Sequence, residues 1–209
     1  LRMYVCEDDA RCRLGNTWTA SLRYLNIPQQ ERKNLKAVWK ILDGANTMDS
    51  GEIKFDAGAV RSAEIGKVSW NIPKDSEPSQ YVFWVELFDS GGKWLYTNSS
   101  IFDSVSGRND GKKLSEPPFP GLLKVRAFKG EKALDDAWIV FAGVRIPVYA
   151  LTGLIIPLKE GNYSIEVGAE GCEVRKREFT IRSAESTEIS VDFGKKDEPA
   201  KVGVDSKPK

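Results

Sequence analysis

Apolar and polar residues alternate along most of the chain with a period of two. Trp18, Ala20, Leu22 and Tyr24 alternate with Thr19, Ser21 and Arg23. Leu35, Ala37, Trp39 and Ile41 recur at the same spacing around Lys36 and Lys40, and Val68, Trp70 and Ile72 alternate with Lys67, Ser69 and Asn71. Successive side chains of an extended strand point to opposite faces, so each run predicts a strand with one buried face. The stretch Tyr81-Val82-Phe83-Trp84-Val85-Glu86-Leu87-Phe88 is apolar on nearly both faces and predicts a central strand. Asp43-Gly44 and Asp89-Ser90-Gly91-Gly92 carry turn chemistry between the runs. No segment of helical length has a period of 3.6, so residues 1–105 are expected to form an antiparallel sandwich.

The pattern then stops and resumes. Residues 106–120 read as a linker: Ser106 to Lys113 is polar, and Glu116-Pro117-Pro118-Phe119-Pro120 is stiff and unable to pair as a central strand. Over residues 121–193 the alternation returns in Leu123, Val125 and Ala127, in Trp138 to Phe141, in Tyr163, Ile165 and Val167, and in Ile189, Val191 and Phe193. Val174 to Ile181 loses phase midway, which predicts a bulge. Residues 194–209 hold Lys, Asp, Pro and Gly with little to bury, and read as a flexible tail.

Composition narrows the chemistry. Among 209 residues, 41% are hydrophobic and 29% charged, enough apolar material for packed cores. Lys plus Arg number 31 against 30 Asp plus Glu, a balance that argues against a nucleic-acid or anionic-membrane partner, since both select a basic surplus. Histidine is absent, which removes Ser–His–Asp and Cys–His nucleophile systems and every His-ligated metal site. Cysteines are Cys6, Cys12 and Cys172, with no CxxC pair; Cys6 and Cys12 are close enough to form a disulfide in an oxidising compartment, and two buried free thiols fit equally well. No apolar run reaches the roughly 20 residues of a membrane helix. The chain opens at Leu1, the expectation being a processed protein or a piece of a longer one.

Three segments in the first half carry a resemblance: Trp18 to Asn26; Val38-Trp39-Lys40-Ile41-Leu42-Asp43-Gly44; and Phe83 to Asn98 through Asp89-Ser90-Gly91-Gly92. A strand ending in Asn, a strand ending Leu-Asp-Gly, and a strand running into Asp-x-x-Gly and back to Asn resemble the immunoglobulin-like domains that accompany the barrel in glycoside hydrolase family 2 and related β-mannosidases. In the second half, Gly161-Asn162-Tyr163-Ser164-Ile165-Glu166-Val167 followed by Glu170-Gly171-Cys172 resembles transthyretin-like modules of the carboxypeptidase regulatory-like or PEGA type, with Cys172 in place of the usual aromatic. The resemblances imply two tandem sandwiches, immunoglobulin-like then transthyretin-like, serving as accessory domains of an extracellular or cell-surface protein. In family 2 enzymes catalysis resides in a separate barrel of about 250 residues, longer than this whole chain, so no catalytic residue, metal or cofactor is expected here.

A few residues remain as candidates for contact or modification. Trp18, Trp39, Trp70 and Trp84 lie in buried runs and are assigned to the core. Trp94 follows a Gly-Gly turn and Trp138 follows Asp135-Asp136, which makes these two the candidates for stacking on a sugar. Asn98-Ser99-Ser100 and Asn162-Tyr163-Ser164 match the N-glycosylation tripeptide. Glu7-Asp8-Asp9 and the loop Asp103 to Asp110 offer oxygen ligands without the spacing of a calcium loop. The expected role is scaffolding beside neighbouring domains of a longer polypeptide, with polysaccharide as the candidate ligand. The rival is an adhesin, S-layer or filament subunit pairing with like subunits through strand edges.

Overall fold

The alternating runs become strands, and each half of the chain pairs them into two sheets whose inward residues are buried. The computed structural model describes residues 1–106, 115–195 and 203–204; those residues form strands, turns and loops with no helix. They divide into two units, Leu1–Pro118 and Phe119–Lys209. Gly107 to Leu114, most of the polar part of the expected linker, lies outside the described residues, as does the tail beyond Lys195 apart from Gly203–Val204.

The first unit contains β1 (Arg2–Glu7), β2 (Arg11–Arg13), β3 (Thr17–Leu25), β4 (Arg32–Asp43), β5 (Asn46–Ala57), β6 (Ser62–Asn71), β7 (Gln80–Phe88) and β8 (Trp94–Val105). One sheet runs β1-β3-β6 and the other β2-β8-β7-β4-β5. Trp18 on β3 anchors the core: it is 1% exposed, stacks on Phe102 with ring centroids 4.2 Å apart, and lies 5.2 Å from Phe83. Burying a side chain of that size contributes roughly 2–3 kcal/mol. Trp70 meets Tyr81 edge-on at 4.9 Å. Trp18, Trp70 and Trp84 are buried as expected, whereas Trp39 is half-buried and packs on the core from β4. The positive φ of Gly44 (61°) closes the β4–β5 hairpin, where Gly44 and Ala45 form the turn between paired Asp43 and Asn46.

The Asn that ends β3 has a structural task. Fully buried Asn26 donates from Nδ2 to the carbonyls of Gln30 (2.8 Å) and Gly58 (3.0 Å), and its backbone N–H bonds to Arg61 (2.7 Å). It thereby satisfies two loop carbonyls that burial would otherwise leave without water.

The second unit contains β9 (Gly121–Lys129), β10 (Lys132–Ala133), β11 (Trp138–Phe141), β12 (Val144–Pro147), β13 (Leu154–Leu158), β14 (Gly161–Gly168), β15 (Arg175–Ile181), β16 (Ser186–Asp192) and β17 (Gly203–Val204). One sheet runs β10-β9-β16-β17, with β13 also paired to β9, and the other runs β12-β11-β14-β15. Leu123, Val125, Ile139, Phe141, Ile165 and Val191 are among its buried residues. In the Gly-x-Tyr segment, Tyr163 faces inward, stacks near Phe179 (5.8 Å) and Phe141 (5.9 Å), and donates its hydroxyl to the Lys159 carbonyl at 2.9 Å.

Two expectations need correcting. The sandwiches are not antiparallel throughout: β2 pairs parallel to β8 and β9 parallel to β16, each joining segments too distant in sequence for a hairpin to set their direction. The predicted bulge in Val174 to Ile181 is absent as well, since β15 pairs with β14 in continuous register from Arg175 to Ile181. The apparent loss of phase comes from Arg177, which occupies an inward position, is 7% exposed, and donates to the Lys176 carbonyl.

Candidate functional site

The two candidate sugar-stacking tryptophans both have partners. Trp94 opens β8 opposite Phe88, is half-buried, and donates from Nε1 to Thr97 Oγ1 at 2.8 Å. Trp138 lies on β11 directly opposite Gly168 of β14, and its indole fills the space that a side chain at Gly168 would take. The Arg145 guanidinium sits over the same indole, its carbon 4.3 Å from the ring centroid. A sugar approaching Trp138 must compete with that cation for the ring.

Other candidates are separated by the fold. Cys6 is exposed on β1 while Cys12 is buried on β2 in the other sheet, and both are free thiols, as is half-buried Cys172. Burial, reinforced by the Asp9 carboxylate, pushes the Cys12 thiol pKa up, because both disfavour a thiolate. Asn98 donates from Nδ2 to the Met3 carbonyl at 3.0 Å, tying β8 to β1, whereas Asn162 stands exposed on β14 and accepts the Thr180 hydroxyl at 2.7 Å. The acidic cluster diverges: Glu7 accepts from the Ser100 hydroxyl, Asp8 from the Thr19 hydroxyl, and Asp9 from the Arg11 backbone N–H. Asp103 accepts from Gln80 Nε2 at 3.1 Å, and Asp136 from the Glu170 N–H at 3.2 Å. Asp110 lies outside the described residues. Among the described residues no three Cys, Asp or Glu side chains converge on a common point.

One groove of the first unit lies at the end of the five-stranded sheet, where β4 begins, β5 ends and the β7–β8 turn follows. The groove encloses about 530 Å³ and is lined by Asn34, Leu35, Lys36, Lys54, Phe55, Asp56, Asp89, Ser90 and Gly92. Leu35 and Phe55 face each other in register, and Phe55 stacks on Tyr24 at 5.9 Å. Asn34 takes a positive φ of 55° in the bulge that opens β4, and its N–H donates to Asp56 Oδ1 at 2.8 Å. Across the groove, Asp89 Oδ1 accepts the N–H groups of Gly91 (2.9 Å) and Lys93 (2.8 Å). Each carboxylate is thus held through one oxygen, and its Oδ2 makes none of these bonds. Lys36 and Lys54 both lean toward Glu52, at 3.8 and 3.5 Å, and Lys36 also lies 5.5 Å from the Phe88 ring centroid.

The sequence pattern presents Asp89-Ser90-Gly91-Gly92 as a turn between strands and gives no sign of Asn34, Phe55 and Asp56. Their meeting depends on the β4–β5 register across a bulge, which the hydrophobic pattern does not encode.

No family model matches the chain, and no curated protein matches it. Among solved structures, the sporulation control protein Spo0M of Bacillus subtilis is similar at 9% identity and a TM-score of 0.38, with 86% of this chain and 89% of that one covered. A glycosyl hydrolase family 2 member from Bacteroides cellulosilyticus is similar at 11% identity and a TM-score of 0.36, over 61% of this chain and 18% of that one. BcpA, the major pilin subunit of Bacillus cereus, is similar at 6% identity and a TM-score of 0.31, over 92% of this chain and 70% of that one. The chain therefore spans less than a fifth of the family 2 hydrolase. At such identities and TM-scores the likenesses transfer no activity, partner or residue role.

Proposed function

We propose that this chain is a non-catalytic pair of β-sandwich modules working as a scaffold beside neighbouring domains of a longer, extracellular carbohydrate-active polypeptide, with saccharide contact as a secondary task. The observation that supports this reading is how the acidic side chains are used. Asp9, Asp56, Asp89 and Asp192 each accept backbone N–H groups of turns, strand ends or bulges, a use that holds loops in place. General acid–base work on a glycoside needs instead two carboxyl groups set across one bond, about 5–10 Å apart, with opposed protonation states. The test is turnover. The purified chain is expected to leave a panel of aryl glycosides and β-linked oligosaccharides unhydrolysed; release of product that tracks the protein through purification overturns the reading.

The rival, assembly through strand edges, is opposed by the side chains on three of the edge strands, β5, β12 and β15. β5 carries Glu52 and Lys54 on its outer face, β15 carries Lys176 and Glu178, and β12 ends in Pro147. Charge and proline on edge strands discourage pairing with another chain. Light scattering coupled to size exclusion is expected to show a monomer, and reversible growth to higher mass with concentration would favour the rival.

A further inference from the structure

We infer that the end of the first unit where the β3–β4 and β5–β6 loops meet is a docking surface for an anionic lipid bilayer. The inference goes beyond the scaffold role proposed above and does not depend on it. The two loops are fastened into one tip by Asn26, whose N–H bonds to the Arg61 carbonyl (2.7 Å) and whose Nδ2 reaches the Gly58 carbonyl (3.0 Å). The Gly58 N–H donates in turn to the Tyr24 hydroxyl at 3.1 Å, and the Gln29 N–H returns to the Asn26 carbonyl at 2.9 Å. Outside this clamp every residue from Ile27 to Glu31 and from Ala59 to Arg61 is exposed, Ile27 at 66% and Val60 at 52%. Aliphatic side chains on loops tied down in this way keep their apolar surface available to another phase, with little ordering left to be done on binding. A tip exposed on all sides suits a fluid interface, which moulds itself around a protrusion.

Charge sets the kind of bilayer. The whole-chain balance of 31 cations against 30 carboxylates, which argues against an anionic surface, averages over an uneven distribution. At this end Arg2 stands opposite Leu25, Arg32 opposite Ala57, Lys33 follows in the bulge that opens β4, and Arg61 closes the second loop. The acids on the same segments are Glu31 and Asp56, and Asp56 already accepts the Asn34 N–H. Elsewhere Arg11, Arg23 and Arg126 each reach a glutamate, at 2.9, 3.8 and 3.7 Å. Among the described residues none of Arg2, Arg32, Lys33 and Arg61 forms an ion pair. Uncompensated cations around an apolar tip match a surface that is negative at its headgroups and apolar just beneath them. A soluble polyanion would use the charges and leave Ile27 and Val60 in water.

The test is sedimentation of the full chain with vesicles of phosphatidylcholine alone and of phosphatidylcholine mixed with phosphatidylglycerol. The chain is expected to pellet with the anionic vesicles, to stay in solution with the neutral ones, and to be released as salt rises toward about 1 M, where screening shortens to roughly 3 Å. Lys33→Gln and Arg61→Gln, both at exposed positions, are each expected to weaken partitioning about fivefold. Ile27→Ser, which removes an exposed side chain and no charge, is expected to weaken it several-fold. Lys129→Gln, an exposed cation of the second unit, is expected to change nothing. Failure to pellet with anionic vesicles overturns the inference, and so does equal pelleting with both vesicle types. A loss from Lys129→Gln equal to that from Arg61→Gln overturns it too, since the charge would then act without regard to place. If Arg61→Gln weakens binding and Ile27→Ser does not, only charge is being read, as an acidic macromolecule would read it, and the bilayer is ruled out. None of these results alters glycoside turnover, so failure here and failure of the scaffold reading are separately visible.

Discussion

Trp138 and Gly168 face each other across β11 and β14, and the indole lies so close that a Cβ built on Gly168 would stand 2.3 Å from its Cζ2. The first unit repeats the arrangement, with Trp39 over Gly51 on the adjoining strand and a hypothetical Cβ 2.6 Å from the ring. A strand glycine leaves a hole in the sheet surface and costs backbone entropy; a cross-strand aromatic covers the gap. Gly168→Ala is therefore expected to destabilise the second unit by about 1–3 kcal/mol, the usual cost of overpacking. The same change made in a Trp138→Ala background is expected to be neutral or stabilising, since alanine then only stiffens the strand. Denaturant unfolding of the four members of this cycle checks the coupling, and equal penalties in both backgrounds would refute it.

The cysteines make a second prediction. Cys6 is exposed and Cys12 buried with its thiol pKa raised, so an alkylating reagent at neutral pH should label Cys6 quickly and Cys12 only as the first unit opens. Mass spectrometry of peptides after timed labelling reads both rates. Protection of both residues, released together by a reductant, would instead report a bond between them.

What was legible in the sequence is what periodicity encodes. The inward sets Trp18-Ala20-Leu22-Tyr24 and Leu123-Val125-Ala127 are buried, and the Asp89 and Asp43 turns fall between strands. β5 is not legible in the pattern because its inward positions include Asp49 and Gly51, the latter completed by a ring from another strand. Arg177 broke the apparent phase of β15 although its position is inward, because a buried arginine reads as solvent-facing until its hydrogen bonds are visible. Trp94 and Trp138 follow turns in the sequence, as exposed contact residues would, yet Thr97 and Arg145 engage them in the fold. The groove depends on a bulge at Asn34 and on one strand pairing, long-range facts that no local pattern contains.

The two glycosylation tripeptides are expected to differ. Asn162 is exposed on β14 beside Ser164, and a glycan on its amide nitrogen projects into solvent. The Asn98 nitrogen is half-buried and bonded to Met3, so a glycan there would break the tie between β1 and β8. Secreted from a host with the transferase, the folded fraction should carry glycan at Asn162 and not at Asn98, as read from peptide masses before and after enzymatic deglycosylation. Occupancy at Asn98 in folded protein would contradict this placement of its side chain.

Asp192 ties the end of β16 to the β9–β10 turn, and it predicts an acid response. Its Oδ1 accepts the N–H groups of Gly130 (2.8 Å) and Gly194 (2.9 Å). Those two bonds, assisted by Lys195 and Arg175, hold its carboxyl below the usual aspartate range. A carboxyl whose folded pKa is depressed stabilises the fold above its unfolded pKa, and that contribution fades as pH falls through the folded value. The contribution should thus be complete at neutral pH and disappear progressively below about pH 4, where an unfolded aspartate begins to protonate. Asp192→Asn retains an oxygen acceptor for both glycines but has no charge to lose. The stability gap between the natural chain and this variant is expected to be present at pH 7 and to close in acid, with the amide shifts of Gly130 and Gly194 titrating together in the natural chain alone. A gap that stays constant across that range would mean the carboxylate charge contributes nothing, and the turn is held by shape.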